Sequence, residues 1–503
     1  MKEFFAKLLN QAKELAVKIW GKIKTLAKKF AIGFVNFFKN LPQNLKNFGI
    51  NTVNRIKNWF LKYINYFKNG DTSVKLSYFF MGAGAFAHKQ IVKGIAYLGI
   101  ELLFIFYMIF HGAGAIGGFF TLGTNFQYSI TDINNPNGGA ITIAGDNSML
   151  CLLYGVIAMI VIVGFIAIYF MNIKSAYQTF EDSVVGKTPQ TFRQDLKQLF
   201  DNKFYVVLLS AALVGVIVFT ILPLIFMILI AFTSWDRQHS AQTGFDWVWF
   251  KNFGQLVGST GLASTFFPVL GWTLLWALCA TFLNYFLGVA LALLINKKDI
   301  KGQKAWRTFF VLTIAIPQFV SLLLMRTLLG EYGPIMNLIV QAGGTRTNVF
   351  ANVDLARFVV IMINLWVGIP YSMLITSGIL MNIPADLYES ARIDGAGKLT
   401  MFRKITLPYI LFVTGPYLIT QFIGNINNFN VIYLLTGGGP FGMYEESAGG
   451  TSLLVTWLYS LTNDSQNYKL ASALGILTFV VCSVVSLITY RHSSASKNEE
   501  DFQ

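Results

Sequence analysis

Charge is scarce in this chain. Only 13% of its 503 residues are Asp, Glu, Lys or Arg, against about 25% in a typical soluble domain, and 54% are hydrophobic. That balance overrules a reading of the length as several soluble domains. Histidine and cysteine are scarcer still. His88, His111, His239 and His492 are scattered, and none pairs with a Cys or a carboxylate at metal-ligand spacing. Cys151, Cys279 and Cys482 each lie in an apolar run, as small buried side chains do, and imply no disulfide framework. A serine elbow is missing, and so is a phosphate-binding loop. Gly395-Ala396-Gly397-Lys398-Leu399 imitates the end of one, but Arg392 holds the place of its first Gly and Leu399 that of its Ser or Thr. No signal peptide is visible, because the N-terminus is too long, too basic and without a cleavage site. These absences exclude an enzyme with its own nucleotide or metal. If the chain moves something uphill, the energy comes from a partner or an ion gradient.

What is present is a series of long apolar runs. Eight segments have the length and composition of bilayer spans: about 94–110, 149–171, 204–232, 270–294, 309–329, 358–381, 410–435 and 470–490. The expected fold is therefore an all-α membrane protein. The first span is the weakest, being short and containing Glu101. Pro223 in the third and Pro317 in the fifth mark kinks that neighbouring helices must compensate.

Basic residues orient the spans. The connections at 172–203, 295–308 and 382–409 hold 5, 5 and 4 Lys plus Arg, whereas those at 111–148, 233–269, 330–357 and 436–469 hold 0, 2, 2 and 1. The first set is expected to face the cytoplasm, with both termini. Residues 1–91 hold 15 Lys and one Arg against Glu3, Glu14 and Asp71, nearly all of the net +15. Phe4, Phe5, Leu8, Leu9, Leu15, Ile19, Trp20 and Ile23 recur there at helical spacing between lysines. A basic amphipathic helix of that kind suits the anionic face of a membrane. It is also compatible with a solvated charged helix. The charge goes with membrane topology before nucleic acid. The chain thus divides into a Lys-rich extension (1–91), two spans with their connection (92–203), a six-span core (204–490) and a tail (491–503).

Two constellations carry the functional argument. One is the polar stretch from Tyr388 to Gly397, running on to Pro408. Asp386 and Glu389 place negative charge in the opening turns of a helix, Gly395 can end it in a left-handed cap, and a second short helix is expected over 398–404. The stretch is either a solvated loop or a docking element for another protein. The other is a set of uncharged polar side chains in the sixth and seventh spans. Asn364 and Tyr371 lie in the sixth; Gln421, Asn425 and Asn428 fall at i, i+4 and i+7, on one helical face. Such a stripe can bond neighbouring helices. It can equally line a path for a neutral, hydroxyl-rich solute, since amides both donate and accept and Trp366 and Tyr371 can stack on sugar faces. Spans four, six, seven and eight have no ionisable residue between their ends, which disfavours an ion-coupled carrier.

Glu389-x-Ala391-x-x-Asp394-Gly395-Ala396, followed by Phe402, Ile405, Leu407 and Pro408, resembles the signature loop of the membrane permeases of ABC importers. Ser390 in place of the first alanine is the only departure. Asn364-Leu365-Trp366-Val367-Gly368-Ile369-Pro370-Tyr371, Asn425-Ile426-Asn427-Asn428-Phe429 and Leu434-Leu435-Thr436-x-Gly438-Gly439-Pro440 are similar to the larger permease subunit of maltose/maltodextrin transporters. The likeness covers roughly residues 200–490, and the first two spans loosely. It implies that Glu389, Ala391, Asp394, Gly395, Ala396, Phe402, Ile405, Leu407 and Pro408 form a coupling helix docked on a cytoplasmic ATPase. It implies carbohydrate contacts at Asn364, Val367, Gly368, Tyr371, Gln421, Gly424, Asn425 and Asn428. Gln421 and Gly424 depart from the serine and the aromatic of maltose permeases. The implied partners are a second permease, an ATPase dimer carrying ATP and Mg, an extracellular solute-binding protein, the lipid bilayer and a carbohydrate. The implied location is the bacterial plasma membrane. The rival readings are an ion-coupled carrier and a membrane-surface scaffold.

Overall fold

A computed structural model describes residues 49–126, 128–131, 140–143, 145–187, 192–258, 261–297 and 300–492, with positions 39, 43, 46 and 47 before them. The extension before residue 39 and the tail beyond 492 lie outside the described residues. Helices dominate. Among the described residues seven are long and apolar enough to cross a membrane, and the count is eight when a pair bent by 87° is taken as one span. The described residues also include a hairpin, Tyr128–Thr131 against Ala140–Ile143, antiparallel with Tyr128 opposite Ile143.

The chain forms two compact units that divide between Trp249 and Phe250. The first holds spans one to three: Ile91–Thr121, Ser148–Val184 and Phe204–Ile230. The third span thus falls with the first two. Only 6% of the apolar window of span one, and 6% of that of span three, is buried by protein, so their Leu, Ile and Phe side chains have a lipid solvent rather than a protein core. Span one is longer than its hydropathy suggests, because Glu101 is not left alone. Its carboxylate accepts the Met81 N–H at 2.8 Å. Asn172 of span two, 2% exposed, completes the arrangement: its Oδ1 accepts the Gly82 N–H at 3.0 Å and its Nδ2 donates to the Ser77 carbonyl at 3.1 Å. Gly82 has φ +89°, and a Cβ there would run into the Gly94 carbonyl, so the turn over 77–84 is built on a residue without a side chain.

The second unit holds the remaining spans. The fourth is Ala263–Ile295, the sixth Val353–Met381, the seventh Lys398–Thr436 and the eighth Tyr468–His492. Trp272, Trp276, Leu322, Val360, Ile363, Val431 and Ile432 form its main apolar cluster. Spans four and six pack backbone to side chain where Gly288 meets Ser372. The segment between spans seven and eight is not a bare loop: Leu454–Asn463 is helical, with Leu454, Trp457 and Leu461 fully buried.

Prolines act in two ways. Pro223 and Pro408 each follow a π-helical turn, Ile217–Ile221 and Phe402–Thr406, by two residues. The wider turn takes up the carbonyl that would clash with the ring and the N–H that the ring lacks. The helix therefore runs on through Thr406–Pro408, where the sequence predicts a boundary. Pro317 instead breaks the fifth span. Ile316 and Pro317 are extended (ψ 125° and 128°) between Gln303–Ala315 and Gln318–Leu329.

Asn172→Ala would leave the Gly82 N–H and the Ser77 carbonyl unpaired in an apolar setting, a cost of about 1–3 kcal/mol. The expected result is a lower melting temperature of the full-length protein in detergent, with Asn172→Gln retaining part of the loss; an unchanged melting temperature in the Ala variant would refute this role.

Candidate functional site

Three local irregularities of the second unit open onto one cavity of about 360 Å³. The first is the π-helical turn Cys279–Leu283 of span four, which brings Thr281 and Asn284 to the wall. The second is the break at Pro317, which brings Thr313, Gln318 and Ser321. The third lies in span seven, where the helix stops at Ile426 and a new one starts at Phe429. Gln421, Asn425 and Asn428 all line the cavity, but Asn428 does so as the N-cap of the new helix (φ −76°, ψ 90°). The one-face reading assumed a continuous helix, and the break replaces it.

Seven of the eight expected contact positions line this cavity: Asn364, Val367, Gly368, Tyr371, Gln421, Asn425 and Asn428. Gly424 does not line it, and a Cβ there would meet nothing within 4 Å. Sequence reasoning missed Thr281, Asn284, Gln318, Ser321 and Tyr417, which complete the wall. The signal was there for some of them: Thr281 and Asn284 share a face at i, i+3, and Gln318 and Ser321 directly follow the helix-breaking proline.

The cavity sets uncharged polar groups in a mostly apolar wall. No Asp, Glu, Lys, Arg or His lines it among the described residues. Asn425 donates from Nδ2 to Thr281 Oγ1 at 3.0 Å, and its Oδ1 accepts Asn428 Nδ2 at 3.3 Å. Asn428 Oδ1 accepts the Val431 N–H at 3.3 Å. These amides therefore stitch the helix break together while presenting their remaining polar capacity to the cavity. Two atoms are left over. Asn284 donates to the Ala280 carbonyl at 2.7 Å, but its Oδ1 has no partner, and neither does Nδ2 of Asn364. Asn364 is 5% exposed. A buried acceptor and a buried donor left unmade cost about 1–3 kcal/mol each, and both residues line the one cavity. The Asn284 amide rests on the bare backbone of Gly368, where a Cβ would overlap it.

The polar stretch between spans six and seven is equally defined. Ala385–Ile393 is a helix with Asp386 in its first turn. It ends in a Schellman motif: the Ala396 N–H donates to the Ala391 carbonyl at 2.9 Å and the Gly395 N–H to the Arg392 carbonyl at 3.0 Å. Gly395 takes φ +75°, the left-handed value that the motif demands. A single side-chain bond ties this helix to the foot of span seven, Tyr388 OH to Thr406 Oγ1 at 2.8 Å. Thr406 is buried. Leu387, Ile393 and Leu399 are exposed (47%, 86% and 59%), an apolar surface with none of the described residues covering it. The second short helix, Lys398–Met401, merges through its π-helical turn into span seven.

The family model for the binding-protein-dependent transport system inner membrane component matches residues 284–498, the stretch that holds both the cavity and the loop. The chain is 35% identical over 423 residues to the galactooligosaccharides transport system permease protein GanP of Bacillus subtilis, covering 83% of this chain and 96% of that one. It belongs to the binding-protein-dependent importer permeases. It is also 33% identical over 435 residues to the maltodextrin transport system permease protein MdxF of the same organism, with 83% and 95% covered. A solved bacterial alginate ABC transporter chain superposes with a TM-score of 0.49 at 24% identity, over 59% of this chain and 96% of that chain. Membership of this family makes the chain a multi-pass transport subunit and not an enzyme.

Gly368→Ala is expected to drive a methyl group into the Asn284 amide and lower stability by about 1–3 kcal/mol. Combining it with Asn284→Ala removes the obstacle, so thermal denaturation of the double variant should recover most of the loss. Tyr388→Phe removes the bond to Thr406, worth about 1 kcal/mol. Hydrogen exchange should then quicken over 385–396 while the amides of span seven keep their protection.

Proposed function

We propose that this chain is one of two permeases of an ATP-driven importer for neutral oligosaccharides of the maltodextrin or galactooligosaccharide type. The observation that carries it is the uncharged cavity with an orphaned donor at Asn364 and an orphaned acceptor at Asn284. A volume of about 360 Å³ sits at the low end of the roughly 300–1,000 Å³ usual for small-ligand sites. Trp366 and Tyr371 remain 46% and 48% exposed, so their rings are available to sugar faces or to a second permease. The amides of Gln421, Asn425 and Asn428 and the backbone at Val367 and Gly368 would complete the contacts; the relatives GanP and MdxF, whose names specify neutral oligosaccharides, support that choice.

The Lys and Arg bias of alternate connections supports placing both termini and the helix Ala385–Ile393 in the cytoplasm. There a separate ATPase dimer, carrying ATP and Mg, would meet Glu389, Asp394 and the exposed Leu387 and Ile393. Ala391, Gly395 and Ala396 shape the cap that presents them, and Phe402, Ile405, Leu407 and Pro408 pass the motion into span seven. An extracellular solute-binding protein would deliver the sugar from the other side.

Uptake of labelled maltotriose and galactotriose by cells expressing the full transporter tests this reading. Uptake should stop on ATP depletion and persist when the proton gradient is collapsed; the reverse pattern would sink it. Asn364→Leu should reduce uptake about tenfold, the equivalent of one lost hydrogen bond at about 1.4 kcal/mol, with assembly intact by co-purification.

A further inference from the structure

Residues 49–69 form one helix that the transport reading leaves without a task. Asn is its usual polar residue, and no Asp or Glu occurs in it. Its aromatic stripe is seated on the far end of span two. The Trp59 ring lies 4.2 Å from that of Phe170, Tyr63 lies 4.7 Å from the same ring, and Tyr66 stacks on Tyr177 at 4.0 Å and 22°. Tyr78 OH donates to the Tyr63 carbonyl at 2.7 Å. The anchorage has a definite depth. The apolar run of span two ends at Met171, and Asn172, Lys174, Gln178, Glu181 and Asp182 follow. Phe170 and Tyr177 therefore flank the level at which hydrocarbon gives way to headgroups.

Next to the aromatic stripe, at 100° per residue, runs a second one: Val53, Ile56, Phe60 and Ile64. Each is 48–62% exposed. The cations flank the two stripes taken together, Arg55 and Lys62 beyond the aromatic one, Lys57 and Lys68 beside the exposed one. Asn51, Asn54 and Asn58 fall on the opposite arc. This is the pattern of a helix lying in the plane of a membrane, with long basic side chains reaching sideways from an immersed apolar face to the phosphates. Four cations without a single carboxylate match an anionic lipid surface.

We propose that the helix 49–69 lies in the headgroup layer of an anionic lipid leaflet. Val53, Ile56, Phe60 and Ile64 enter the acyl boundary, and Arg55, Lys57, Lys62 and Lys68 bind lipid phosphates. The proposal is independent of the transported solute and of the ATPase contact. Clamped by aromatic rings to span two, the helix fixes the depth at which the first unit sits in an anionic bilayer.

The test uses the full-length chain in vesicles, with Cys151, Cys279 and Cys482 replaced by Ala and a nitroxide at Phe60→Cys or Asn58→Cys. In phosphatidylglycerol vesicles the label at 60 should collide with oxygen and be shielded from a water-soluble nickel chelate, and the label at 58 the reverse. In phosphatidylcholine, or with Arg55, Lys57, Lys62 and Lys68 all changed to Gln, chelate access at 60 should rise about tenfold, as loss of surface attraction at several cations requires. Equal chelate access at 60 and 58 in the anionic vesicles would overturn the proposal. So would shielding at 60 that neither the lipid change nor the Gln variant alters, since the face would then be covered by protein.

Discussion

A backbone amide inside hydrocarbon has no water to bond, so it must find its partner within the protein. Three departures from regular helix in the second unit answer that demand. The break at Pro317, the π-helical turn at 279–283 and the interruption at Asn427–Asn428 all loosen backbone groups at membrane depth. All three adjoin one cavity, and side-chain amides sit where the ladder fails. Asn428 caps the new helix, Asn425 holds Asn428 and Thr281 together, and Asn284 bonds the Ala280 carbonyl within the π-helical turn. The polar lining is thus first a repair of broken helices. The same groups then give the cavity its chemistry. Helix bonding, and under the proposed function a solute path, would then fall on one set of side chains.

The charge pattern follows from the same solvent. Spans one and three bury almost nothing against protein and carry almost no charge. Lys93 stands in the opening turn of span one, and Glu101 is engaged by the Met81 N–H. Cations gather in the connections and at 49–69, where headgroups or water receive them. The first unit uses its aromatic residues for anchorage: Trp59, Tyr63, Tyr66, Phe170 and Tyr177 form a continuous contact series. The second unit uses Trp272 and Trp276 as core, with Trp272 also donating from Nε1 to the Thr451 carbonyl at 3.1 Å and carrying the Arg357 guanidinium 4.5 Å above its ring.

Much of this was legible in the residues. Length and hydropathy place seven of the eight spans as continuous apolar stretches, the fifth being two helices bent by 87°, and Gly395 foretells its left-handed cap because few other residues tolerate that φ. Seven cavity residues were named from motifs alone. What escaped has physical reasons. Hydropathy averages over a window, so it cannot see a π-helical turn such as Cys279–Leu283, whose residues are as apolar as their neighbours. Periodicity presumes an unbroken helix, so Asn428 was given the right cavity by the wrong geometry. Proline carries two meanings: Pro317 breaks its span by 87°, whereas Pro408 is absorbed by the turn before it. The helix Leu454–Asn463 is buried by neighbours distant in sequence, which no local pattern records.

The placement of Tyr388 gives the proposed mechanism a mechanical form. A loop that floated on its two flanking spans would dissipate a push by bending. Here the helix Ala385–Ile393 is closed at its far end by the Ala391–Ala396 bond and held by Tyr388 to Thr406 at the foot of span seven. From Thr406 the helix continues to Ile426, and Gln421 stands fifteen residues on, about 22 Å at 1.5 Å per residue. Under the proposed function, a displacement of the loop would reach the cavity through this helix and the Tyr388–Thr406 hydroxyl pair. It would arrive where the helix ends, at Asn425, Asn427 and Asn428. There the backbone keeps only long bonds, Asn427 N–H to the Ile423 carbonyl and Asn428 N–H to the Asn425 carbonyl at 3.3 Å each, with side-chain bonds of Asn425 to Thr281 and of Asn428 to Asn425 beside them, so under the proposed function that is the point at which a push would change the cavity's shape.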